Sequence, residues 1–103
     1  HFKCKLQKEH LLVNEEIDRE YIDTTSACEI FDKGNARVIK ICKQGSGTTV
    51  IWNPWKKKSQ QMTDFDSEGY RQMLCVEAAI TNNDLNVIQP GKTHILKQVI
   101  ELI

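Results

Sequence analysis

The feature that most constrains this chain is how closely its turn signals follow one another. Asp32-Lys33-Gly34-Asn35, Gln44-Gly45-Ser46-Gly47, Asn53-Pro54, Asp66-Ser67-Glu68-Gly69, Asn82-Asn83-Asp84 and Gln89-Pro90-Gly91-Lys92 punctuate it at short intervals. The runs between them are rich in Val, Ile, Thr and aromatic residues: Arg37 to Lys43, Thr48 to Trp52, Met73 to Glu77 and Leu85 to Ile88. Such residues fit a pleated, half-buried surface, and short strands with frequent turns predict an all-β sandwich. Pro90-Gly91 suits the centre of a type II turn, because proline fixes the first φ and glycine accepts the positive second one.

Two segments read differently. In Thr93 to Ile103 the apolar positions Ile95, Leu96, Val99, Ile100, Leu102 and Ile103 fit a helix as well as a strand. Residues 67–71 can form one helical turn, with Ser67 as its cap and Glu68 in the first turn.

The chain has 103 residues, enough for one small domain. Its 14 basic and 14 acidic residues balance, which gives no electrostatic argument for nucleic acid or a membrane surface as partner. No apolar run approaches the roughly 20 residues that cross a bilayer. The opening HFKCKLQKEH has no apolar stretch of the signal-peptide kind. Cys4, Cys28, Cys42 and Cys75 form no C-x-x-C pair, and His1, His10 and His94 lie at no zinc-ligand spacing from them, so no metal site is expected. Cys42 and Cys75 sit inside apolar runs and read as buried free thiols of a cytoplasmic protein.

Few residues offer chemistry. Strand alternation places Met73, Cys75 and Glu77 on one face and Leu74, Val76 and Ala78 on the other. Glu77 ends an apolar run, where a carboxylate loses hydration and becomes a candidate general base. Trp52 and Trp55 flank Asn53-Pro54 in what reads as an irregular segment. They are either loop anchors or rings that stack on the apolar face of a sugar. Asp18 could accept hydrogen bonds from ligand hydroxyls, with Arg19 holding it ionised. Lys56-Lys57-Lys58 reads as a solvated loop. Gly45-Ser46-Gly47 lacks the spacing and lysine of a phosphate-cradling loop.

From residue 15 onward these pieces resemble one family. In order they are Asp18-Arg19-Glu20-Tyr21, the strand from Arg37 to Lys43, the segment Thr49 to Trp55 (TVIWNPW), Met62-Thr63-Asp64-Phe65, the segment Tyr70 to Glu77 (YRQMLCVE) and the Gln89 to Lys92 turn. Their order and spacing are similar to the C-terminal part of the glucose-6-phosphate 1-epimerases, or hexose-6-phosphate mutarotases, of the aldose 1-epimerase and apospory-associated protein C-like kind. The resemblance implies that residues 1–103 are a single partial domain, the C-terminal third of a galactose-mutarotase-like β-supersandwich. It makes Thr93 to Ile103 a strand. It implies cofactor-free interconversion of the α and β anomers of a hexose 6-phosphate, with Glu77 as general base and Asp18 as sugar ligand. The family's general-acid histidine and phosphate-binding arginines fall outside this chain, and His10 and His94 match no catalytic position. The alternative is a non-catalytic carbohydrate-binding or interaction module. A sandwich cut to its last third exposes strand edges, so the isolated chain is expected to self-associate.

Overall fold

Turns this frequent limit each strand to a few residues, and the computed structural model, which describes residues 2–6, 9–81 and 87–103, has that form. Its strands are β1 (Phe2–Leu6), β2 (Glu9–Val13), β3 (Ile17–Tyr21), β4 (Cys28–Asp32), β5 (Arg37–Gln44), β6 (Thr48–Asn53), β7 (Cys75–Ala79) and β8 (Lys97–Leu102). All ladders are antiparallel. One sheet has five strands in the order β2-β1-β4-β5-β8, and the other has three in the order β3-β6-β7. Among the described residues helix is confined to α1 (Trp55–Gln61) and two short 3-10 turns, Lys33–Asn35 and Gly69–Gln72. The all-β reading therefore holds. No described helix is long and apolar enough to cross a membrane.

The ambiguous C-terminal segment resolves as β8. It pairs with β5 from Ile39↔Leu102 to Gln44↔Lys97, so its backbone groups enter a ladder that a lone helix could not offer β5. The β1–β2 hairpin and α1 were not legible in the sequence, and α1 replaces the loop expected at Lys56-Lys57-Lys58, whose side chains are nonetheless exposed. The turn expected at Asn82 to Asp84 and most of the strand expected at Leu85 to Ile88 lie outside the described residues. Val87 and Ile88, at the described end of that run, belong to no strand.

Several turns follow their chemistry. Lys92 N donates to the Gln89 carbonyl at 3.0 Å, and Gly91 takes φ 77°, as a type II turn requires. Asp66, rather than Ser67, organises the turn before Gly69: its Oδ1 accepts from Glu68 N at 2.9 Å and its carbonyl from Gly69 N at 2.8 Å. Asp is the better Asx-turn former because its short carboxylate reaches the amide two residues on. Gly45, at φ 75°, has the Ile95 carbonyl oxygen only 1.9 Å from where a Cβ would stand. His94, expected as an ordinary strand residue, precedes β8 instead and sits 2.7 Å from the Gly45 carbonyl through Nε2.

The core lies between the sheets. Cys4, Leu6, Leu11, Val13, Cys28, Ile30 and Ile41 from the five-stranded sheet meet Ile17 and Ile51 from the three-stranded one. All four cysteines are free thiols, as expected, but the deeply buried ones are Cys4 and Cys28, while Cys42 and Cys75 are half-buried. The Cys4 and Cys28 sulfurs are 2.6 Å apart. The five-stranded sheet outspans its partner, and its surplus is β8. Ile100 and Leu102 are in register with the core residue Ile41 and with Ile39, which packs against the core, so they point inward. They are nevertheless 67% and 69% exposed because the smaller sheet does not cover them.

Two expectations follow from this packing. The isolated chain should self-associate through the inner face of β8, shown by sedimentation velocity as a concentration-dependent rise in mass. Ile100→Lys with Leu102→Lys should weaken that association about tenfold or more, since each uncovered side chain contributes on the order of 1–2 kcal/mol when buried. A single monomeric species at every concentration would contradict it. The second expectation concerns acid. Asp32 is 3% exposed and accepts from Asn35 Nδ2 at 2.9 Å and Arg37 Nε at 2.8 Å. The Asn35 bond first, and then Arg37, hold its carboxyl below the ordinary 3.8. A depressed folded-state value stabilises the fold above the unfolded value and is lost as pH falls through the folded one. Stability against urea should therefore fall below about pH 4, and Asp32→Asn should flatten that dependence while lowering stability at neutral pH.

Candidate functional site

The site candidates meet on the three-stranded sheet. In a strand successive side chains alternate between faces, and directly paired residues share a face. β3 pairs with β6 through Asp18↔Trp52 and Glu20↔Val50, and β6 pairs with β7 through Trp52↔Cys75 and Val50↔Glu77. One face thus carries the row Asp18, Trp52, Cys75 beside the row Glu20, Val50, Glu77. The opposite face carries Ile17, Ile51 and Asn53, which face the core. Asp18, Glu20 and Glu77 are exposed, while Val50, Trp52 and Cys75 are half-buried. The structure brings Glu77 and Asp18 to one surface, with central β6 between them.

Three local readings need correction. Glu77 is exposed, so the loss of hydration expected from its apolar neighbours does not occur. The expected split of faces does hold: Leu74 and Val76 pack on the core. Arg19 cannot hold Asp18 ionised, because it points to the other face and pairs with Glu9 at 3.1 Å. Tyr21 OH donates to the same Glu9 oxygen at 3.2 Å. Nor are the two tryptophans equivalent members of an irregular segment. Trp52 lies within β6 and Trp55 opens α1.

Glu20 is a residue that sequence reasoning passed over. It stands across Val50 from Glu77, and only the register of two ladders reveals that. Cys75, which strand alternation already groups with Glu77, lies two residues before it on the same face. Burial pushes its thiol above the ordinary value, and the Glu77 carboxylate adds to the push.

What positions β7 is the side-chain amide of Asn53. It is fully buried at the end of β6. Its Nδ2 donates to the carbonyls of Tyr70 at 3.0 Å and Met73 at 2.9 Å, and its Oδ1 accepts from Trp55 N at 2.8 Å. Both donors and one acceptor site are thereby used. The amide thus joins β6 to the start of α1 and to the segment that leads into β7. Trp55 takes φ 57°, a left-handed conformation that a tryptophan adopts only under constraint. The bond from Asn53 supplies part of that constraint. The contact of the Trp55 ring with Tyr70, centroids 4.9 Å apart, supplies more. At the far end, Ser46 Oγ lies 2.6 Å from the Ala79 carbonyl, and Gln98 Nε2 donates to the Val76 carbonyl at 2.9 Å. β7 is therefore tied at both ends and along its free edge.

The arrangement is an open carboxylate face with an aromatic and aliphatic floor. Cavities of about 370 and 400 Å³ lie elsewhere, around Lys3, Phe31 and Lys33 on the outer face of the five-stranded sheet. His10 lines the first of these. Among the described residues no cluster of His, Cys, Asp and Glu could hold a metal ion.

Comparison with known proteins gives the family. A family model described as aldose 1-epimerase matches residues 2–101, beginning upstream of the motifs that start at residue 15. A protein of Cenchrus ciliaris named "Putative glucose-6-phosphate 1-epimerase" is 33% identical over 86 residues, covering 84% of this chain and 26% of that protein. A protein of the same name from Haemophilus influenzae is 34% identical over 67 residues, 65% of this chain and 24% of its own length. A third, from Escherichia coli K12, is 28% identical over 82 residues, 80% of this chain and 28% of its own. The chain spans about a quarter of the length of the curated relatives it matches. No solved structure matches it.

Removing the Asn53 amide should loosen the whole site. Asn53→Ala leaves two carbonyls and one amide without partners, at a cost of about 2–4 kcal/mol. Asn53→Asp should cost at least as much, because it sets a charge against the two carbonyls. Chemical denaturation measures the cost, and amide exchange at residues 70–77 should rise in both variants. Unchanged exchange there would remove Asn53 from its positioning role.

Proposed function

This chain belongs to the aldose 1-epimerase family, and we propose that it is the C-terminal third of a hexose-6-phosphate mutarotase in which Glu77 is the general base and Asp18 binds sugar hydroxyls. The observation that carries the proposal is the convergence of Asp18 and Glu77, distant in sequence, on one face of β3-β6-β7. The names of the relatives and the motif resemblance support glucose 6-phosphate or a close hexose 6-phosphate as substrate.

On this reading Glu77 takes the proton from the anomeric hydroxyl while a general acid from outside this chain protonates the ring oxygen. The ring opens, C1 turns about its bond to C2, and closure on the other carbonyl face gives the other anomer. No net oxidation or group transfer occurs, so positioned acid and base groups are the whole of the requirement. The exposure of Glu77 fits a group awaiting a substrate and a covering layer, which would remove water and strengthen each polar contact.

A second reading has its own observation. Without an acid partner, an open face with three carboxylates and an indole suits sugar binding alone. Exchange between glucose 6-phosphate anomers, followed by NMR in the intact protein containing this chain, separates the two. Glu77→Gln should slow exchange by about 10²-fold or more while sugar still binds. Asp18→Ala should act mainly by raising KM, by about tenfold for one lost charge-assisted hydrogen bond. Binding without exchange above background in the unsubstituted protein would leave the carbohydrate-binding reading in its place.

A further inference from the structure

The geometry points to Trp52 as the platform on which the sugar ring rests, a substrate-contacting residue that sets affinity by holding the pyranose between Asp18 and Glu77. This rests on the reading of those two carboxylates given above. β6 is the middle strand, and Trp52 is in register with Asp18 on one side and Cys75 on the other. Glu77 stands in the next row. With strands about 4.8 Å apart and residues about 3.4 Å apart along them, the Asp18 and Glu77 backbones are separated by roughly 12 Å on the diagonal. That separation, less the reach of the two carboxylate side chains, leaves room for about one pyranose ring, and Trp52 with Val50 lies between the two.

The ring type suits the place. The C–H bonds on a pyranose face are apolar and slightly positive, and an indole face is apolar and slightly negative, so the two stack while the hydroxyls point sideways toward carboxylates. Trp52 is not required by the core. Its neighbours Ile51 and Asn53 face the core and are fully buried, whereas Trp52 points away and stays half-buried. The other indole is already engaged, since Trp55 contacts Tyr70 and opens α1. The sequence left loop anchor and sugar platform open for both rings, and the structure divides the two roles between them.

The test uses the intact protein containing this chain, labelled with 5-fluorotryptophan, with the Trp52 resonance assigned from Trp52→Phe. Adding glucose 6-phosphate should shift and saturate the Trp52 signal and leave the Trp55 signal in place. In exchange kinetics Trp52→Ala should raise KM about tenfold with kcat within a few-fold, and Trp52→Phe, which keeps a ring, should raise it less. A Trp52 signal unmoved by saturating sugar would overturn the proposal. So would an unchanged KM in Trp52→Ala. If Trp52→Ala fails to fold, the titration of the unsubstituted protein decides. Should Glu77→Gln leave exchange intact while the Trp52 signal still responds, the base assignment falls and the platform stands. If Glu77→Gln abolishes exchange but the Trp52 signal is unmoved, the platform falls and the base stands.

Discussion

A single buried amide governs where the rest of this molecule can go. Asn53 closes β6, and its three hydrogen bonds fix the backbone at Trp55, Tyr70 and Met73. Those residues belong to two pieces of chain, the start of α1 and the segment that leads into β7, and each would otherwise leave a backbone polar group without this partner. Because the penalty for an unmade buried hydrogen bond exceeds the net gain from a made one, the arrangement is close to obligatory. Its consequence reaches the surface. Once Met73 is fixed, β7 begins at Cys75 in register with Trp52, and Glu77 must emerge across Val50. A shift of one residue would turn Glu77 into the core and Val76 out of it.

The second constraint is the mismatch between the layers. Five strands face three, and a sandwich core needs cover on both sides. Where the layers overlap, Leu6, Val13, Ile30 and Ile51 are buried. Where they do not, Ile100 and Leu102 keep the inward direction that their register with β5 dictates and remain in solvent. Polar side chains also link the layers. Glu9 reaches Arg19 and Tyr21, and Gln98 reaches the free edge of β7. The exposed Arg19–Glu9 pair adds little stability, since solvent screens it. Gln98 matters more, because it covers a carbonyl on an edge strand that would otherwise be open to pairing.

Much of the strand pattern was legible because it is local chemistry. The turn at Gln89 to Lys92 follows from proline and glycine alone, and β5, β6 and β7 from β-branched runs between turns. The alternation that groups Cys75 with Glu77 follows from the period of a strand. The failures share a cause. Trp55 was read as a loop residue because a left-handed tryptophan at the head of a short helix is locally unfavourable and is held there by Asn53 and Tyr70. Arg19 was assigned to its neighbour Asp18 because adjacency in sequence was taken for adjacency in space, which a strand forbids. The β1–β2 hairpin was missed because its apolar positions, such as Cys4, Leu6, Leu11 and Val13, gain their meaning only against the other sheet.

By itself the sequence determined that the chain is β-rich, that its strands are short, and that its ordered motifs are those of the aldose 1-epimerases. Propensity, turn geometry and motif order act over a few residues and survive in the linear text. Which side chains share a surface was decided by the tertiary structure. Asp18, Glu20, Trp52 and Glu77 become neighbours through the register of two ladders, and register is set by the burial of Ile17, Ile51 and Asn53 on the opposite face. The same burial separated the two tryptophans, one turned inward onto Tyr70 and the other outward between the carboxylates.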